Sequence, residues 1–145
     1  MTQINNIRFA FAVNEQNKFE SKHFGDADKY VIYEWVNNKF NEISEEVNAS
    51  KNIDESNVHG SKTKGNTIID FLKQKGVKIL VSKQFGKNIN LVNQHFVPVM
   101  VKTENIQETI QELVKHTKWL EDELINKNDN YKLFKITSSV LKSNI

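Results

Sequence analysis

The run Arg8-Phe9-Ala10-Phe11-Ala12-Val13 is apolar at every position after the first. A strand with one wet face alternates polar and apolar residues. An unbroken apolar run of this length therefore belongs in the middle of a sheet, buried on both faces. Val77 to Val81 and Phe96 to Val101 are further apolar strands, and Pro98 places the latter at a sheet edge, because proline cannot donate to the ladder. Lys29 to Val36 is dense in aromatic and β-branched residues and reads as the second strand. Asn37-Asn38 then makes a hairpin turn, since asparagine tolerates positive φ, and Lys39 to Val47 returns as an antiparallel outer strand.

Helical signals interleave with these runs. Thr67 to Lys75 carries Ile68, Ile69, Phe71 and Leu72 before Gly76, a C-cap glycine. Asn88 to Asn93 predicts a short helix with Ile89, Leu91 and Val92 turned inward. Thr103 is the expected N-cap of a long helix whose stripe runs through Ile106, Ile110, Leu113, Thr117, Leu120 and Leu124. Polar residues from Asn48 to Gly65 predict a long, mobile loop. Tyr131 to Ile136 reads as a last short strand, with fraying from Thr137. The order implies an α/β domain over residues 1–125, a mixed five-stranded sheet with flanking helices, and a C-terminal extension over 126–145.

Composition removes several functions. With 20 basic and 18 acidic side chains among 145 residues, the net charge is +2, and no clustered basic face for nucleic acid is present. The absence of cysteine excludes disulfides and any cluster or zinc held by thiolates of this chain. Met1 to Asn6 lacks the charged start and apolar stretch of a signal peptide. The longest apolar runs, about six residues, are far short of the roughly 20 that span a bilayer. A cytoplasmic protein without a membrane partner is expected.

Catalytic sets are missing too. The chain has no G-x-S-x-G elbow, phosphate-loop motif or H-E-x-x-H, and Ser61-Lys62-Thr63-Lys64-Gly65 has the wrong spacing for a phosphate loop. Asp26 and Asp28 are most simply turn formers, and the first strand offers no acid for two-metal chemistry. No enzyme is expected. The Phe9, Phe11, Tyr30, Tyr33 and Trp35 cluster reads as core.

Four histidines remain. His23 sits in a loop between two strands, at the sheet end where α/β proteins place ligands, and either ligates a metal or hydrogen-bonds its own loop. Gly25 would let the backbone approach a bulky anion. His59, in the long polar loop, either supplies a second ligand on a lid or is simply solvated. His95 and His116 read as structural or exposed.

The segment SKHFGDADKYVIYE, following RFAFAV and a polar turn, resembles the nitrogenase iron–molybdenum cofactor-binding (dinitrogenase accessory factor) family. Ser21, His23, Phe24, Gly25, Ala27 and Tyr30 fill the positions of its S-x-H-F-G-x-A-x-x-[FY] loop. Phe85-Gly86-Lys87-Asn88 resembles its glycine turn, and FVPVMVKTENIQETIQEL its closing strand and helix. The resemblance runs from about Arg8 to Leu113. It implies a ribonuclease H-like fold and a non-catalytic role in binding or ferrying an iron–molybdenum or iron–sulfur cofactor, or its precursor. His23, as metal ligand, with Phe24 and Gly25 would bind that cofactor. Gly86 would add backbone donors, His59 a lid, and Lys87 or Lys83 balancing charge. A cofactor-donor or acceptor protein is the implied partner, and the cofactor would be lost on purification in air. The chain departs from the pattern in lacking cysteine, in placing Lys83-Gln84-Phe85 before the glycine turn, and in extending past Leu113. The other reading is a regulatory or interaction module without metal, working through the long helix. A monomer or weak homodimer is expected, with residues beyond Leu113 as the contact.

Overall fold

The computed structural model describes residues 6–51, 58–137 and 140–144. Strand β1 (Ile7–Val13) pairs antiparallel with β2 (Lys29–Val36), which pairs antiparallel with β3 (Lys39–Val47). The β2–β3 turn is built on Asn37 and Asn38, with φ of 53° and 62°, the positive values of a tight hairpin turn. On its other side β1 runs parallel to β4 (Val77–Ser82), which is parallel to β5 (Val97–Val101).

Two more strands follow. β6 (Leu133–Thr137) is parallel to β5, and β7 (Val140–Asn144) is antiparallel to β6. The described sheet thus has seven strands in the order β3-β2-β1-β4-β5-β6-β7, not the expected five. Alternation in residues 133–136 explains the extra pairing. Phe134 and Ile136 bury on one face, while Leu133 packs on the other. The segment from Thr137 was expected to fray, yet Val140 pairs with Thr137 and Asn144 with Leu133. Pro98 accordingly lies in an interior strand. It sits beside Leu80, and the β6 ladder opens one residue past it, at Val99 opposite Phe134.

Helices cover both faces. α1 (Val58–Gln74) and α2 (Ile89–Val92) lie on one side and α3 (Ile106–Asn126) on the other. The period of β1 assigns its side chains to each. Ile7, Phe9, Phe11 and Val13 join Ile106, Leu113 and Leu120 of α3, while Ala10 and Ala12 join Ile68, Ile69 and Leu72 of α1. The five aromatics expected as core are all buried, with Tyr30 facing α1 and the other four facing α3.

α1 begins at Val58 rather than Thr67, so the last part of the expected loop, including His59, is helix. Its C-terminal end is as expected: Gly76 takes φ +76°, and Arg8 Nη1 donates to the carbonyl of Lys75 at 2.9 Å. α3 is capped by Asn105 and not Thr103. Asn105 Oδ1 accepts from the N–H of Glu108 at 2.9 Å, and Thr103 instead pairs through its hydroxyl with Thr109. The helix is interrupted at His116, whose φ of −129° is not helical. No described helix is long and apolar enough to cross a membrane.

Candidate functional site

The C-terminal ends of the parallel strands β1 and β4 lie side by side, and the loops leaving them meet. His23 forms a parallel bridge with Gln84, and the N–H of Phe24 donates to the carbonyl of Gln84 at 2.8 Å. Beneath this seam the buried rings of Phe24 and Phe85 pack with centroids 6.0 Å apart. Each loop then makes a 3-10 turn, Phe24–Asp26 in one and Gly86–Asn88 in the other.

The His23 ring lies directly on Gly86. A Cβ added there would stand 2.6 Å from both Cε1 and Nδ1 of the imidazole. Real carbon atoms do not approach so closely, and Gly86 also takes φ +64°, which glycine adopts without steric cost. The positive φ favours glycine, and any side chain at this position would have to displace the His23 ring. The ring is exposed on its outer side, at the mouth of a cavity of about 180 Å³.

Cations and one carboxylate surround that cavity. Lys87 lines it from the glycine turn, and Lys64 comes from α1. Lys64 is 2% exposed, and its Nζ donates to Asp26 Oδ1 at 2.6 Å and to the carbonyl of Lys51 at 3.1 Å. One residue on, Gly65 lets α1 approach α2. A Cβ there would meet Asn88 Nδ2 at 3.1 Å and Leu91 Cδ2 at 3.2 Å.

The carbonyls of Phe24, Gly25 and Ala27 accept from buried side chains that are not part of the cavity lining. Tyr30 donates its hydroxyl to the carbonyl of Phe24 at 2.8 Å. Burial, with the Asp26 charge as a second cause, pushes the Tyr30 phenol far above its ordinary pKa, so the donor stays protonated. Asn48, buried at the end of β3, donates from Nδ2 to the carbonyls of Gly25 and Ala27 at 2.9 and 2.8 Å.

Of the residues singled out from the sequence, His23, Phe24, Gly25 and Lys87 line one cavity, and Gly86 supports His23. Lys83 is not among the lining residues. His59 falls in the first turn of α1, and its side chain lies outside the described residues. His95 lies near Lys73, and desolvation followed by that charge lowers its pKa; His116 pairs with Glu112 on α3. Neither belongs to the cavity. Asn48 and Lys64 are the residues that sequence reasoning missed. A single buried lysine among many exposed ones carries no local signal, and Asn48 looks like any asparagine closing a strand.

Among the described residues no three His, Asp or Glu side chains converge in the manner of a metal site. The cavity instead combines one accessible imidazole, the Lys87 ammonium, a Lys64–Asp26 ion pair, the Asn88 amide and the Gly25 and Gly65 backbone. Such a set suits a pre-assembled anion better than a bare metal ion. A family model for the dinitrogenase iron–molybdenum cofactor matches residues 5–116. The chain belongs to that family. The match runs from β1 to the interruption of α3 at His116 and includes every strand and turn that shapes the cavity. No curated protein and no solved structure matches the chain.

Proposed function

We propose that this member of the dinitrogenase iron–molybdenum cofactor family is a non-catalytic, cytoplasmic carrier. It binds an anionic cofactor of iron–molybdenum or iron–sulfur type, or its precursor, between the Phe24–Asp26 and Gly86–Asn88 turns. One observation carries the reading: two motifs about sixty positions apart meet, with the His23 ring seated where a Gly86 side chain would be. Family membership supplies the class of cargo. A complete cluster brings its own metal–sulfur framework, so the protein need add only an imidazole at one metal and positive charge around the rest. His23 would be that ligand and Lys87 that charge, while Lys64 pairs with Asp26 in the cavity wall. A Cβ added at Gly25 would make only ordinary contacts with Ile68 and Lys64, so packing alone does not demand glycine there. Phe24 anchors the turn from below.

Four parallel inner strands (β1, β4, β5 and β6), an antiparallel β2–β3 hairpin and helices on both faces support the ribonuclease H-like reading of the fold. A second reading, an interaction module working through α3, draws on Trp119, which is 48% exposed on a described helix.

Anaerobic titration of the protein with isolated iron–molybdenum cofactor, and with simpler iron–sulfur species, tests the carrier reading. Binding that weakens about tenfold in His23→Ala, or 1.4 kcal/mol, is expected. Binding indifferent to His23 would move the site elsewhere, and no binding of any cluster would leave the α3 reading.

A further inference from the structure

We infer that Asn48, which lies outside the cavity wall, is the positioning residue that sets the geometry of the His23 turn; the inference rests on the carrier reading above. Asn48 directs its donors to the residues that follow His23 and its acceptors to its own turn. Its N–H donates to the carbonyl of Asp28 at 3.0 Å, its Nδ2 to the carbonyls of Gly25 and Ala27, and its Oδ1 accepts from the N–H of Ser50 at 3.0 Å. With Tyr30 on Phe24, carbonyls on both sides of Gly25 are drawn inward, which leaves the outward side of the turn to His23 and a ligand.

The same short stretch is tied to α1. The carbonyl of Lys51 accepts from buried Lys64, which also holds Asp26, while the Lys51 ammonium pairs with Asp28. The 48–51 turn therefore links both ends of the His23 turn to the helix that forms the far wall. Asparagine is specific here. Aspartate, its isostere, would put a carboxylate oxygen where the amide now faces two carbonyl oxygens, replacing two attractions by repulsion.

The test compares Asn48→Asp and Asn48→Ser with Leu120→Ala, a destabilising change in the core on the opposite face. Two readouts are taken at a temperature where every variant is folded by circular dichroism: affinity for isolated iron–molybdenum cofactor, and the NMR resonances of the His23 imidazole in the metal-free protein. The Asn48 variants are expected to lose tenfold or more in affinity and to shift the His23 resonances, while Leu120→Ala lowers thermal stability and changes neither. Unmoved His23 resonances, or unchanged affinity in the Asn48 variants, would overturn the inference. If the wild type binds no cofactor, the carrier reading fails. The His23 resonances alone then decide whether Asn48 positions the turn: a shift specific to the Asn48 variants upholds that, and no shift overturns it.

Discussion

The two faces of the sheet are built from the same strands to different ends. On the α3 face β1 contributes Phe9 and Phe11, which stack 6.3 Å apart and continue edge-on into Phe40 and Tyr33. On the α1 face the same strand contributes Ala10 and Ala12. The large rings that β1 places on the α3 side fill space and bury apolar area. Small residues on the other leave room beneath the Phe24–Asp26 turn, where Tyr30 and Asn48 hold polar backbone in place. Both faces are core, with Phe24, Tyr30, Phe85 and Phe96 buried on the α1 side, but that side also carries the cavity.

That division sets out where substitutions should act. The largest effect is expected from Phe11→Ala, which empties a site at 0% exposure on the α3 face. It should cost about 3–5 kcal/mol in denaturant unfolding. Protein that remains folded should bind cofactor as before, and a matching loss of affinity would break the comparison. Gly86→Ala comes next. The left-handed backbone alone costs roughly 1–2 kcal/mol, and the methyl must also displace the His23 ring. Affinity should fall at least tenfold even where the protein stays folded.

The smallest effect concerns Asp28, at the edge of the site. A hydrogen bond from Lys51 is the largest cause holding its pKa below the usual carboxylate value, opposed in part by desolvation. A folded pKa below the unfolded one gives stability that is present above the unfolded value, near 4, and lost as pH falls through the folded value. Asp28→Asn should therefore flatten the acid limb of a pH–stability curve slightly and leave stability at pH 8 and above almost as sensitive to pH as before. A steeper acid limb would contradict this.

How much of this was legible in the sequence follows from the range of each interaction. The apolar run at Arg8 to Val13, the Asn37-Asn38 turn and the Gly76 cap announce themselves within a few residues, because side-chain period and φ preference are local properties. The family motif likewise marked His23, Gly25 and Gly86. The start of α1 was hidden because Gly60 and Gly65 are poor helix formers and the segment is polar. What holds its described part is tertiary: buried Lys64 on Asp26, and Gly65 against Asn88 and Leu91. The pairing of β7 is hidden because an edge strand is defined by its neighbour rather than by its own residues. Thr103 and Asn105 are both capping residues, and only the observed start of the helix at Ile106 separates them. The contact between the His23 ring and Gly86 joins residues distant in sequence, and no local pattern encodes it.

That contact is the centre of the proposed site, and a double-mutant cycle tests it most directly. Affinity for isolated iron–molybdenum cofactor is measured anaerobically for the wild type, His23→Ala, Gly86→Ala and the double variant. The expected result is strong non-additivity: once the imidazole is gone, adding the methyl at Gly86 costs little more, and the coupling exceeds about 1 kcal/mol. Losses that simply add would mean that His23 and Gly86 act independently, and would contradict a single site built from the two turns.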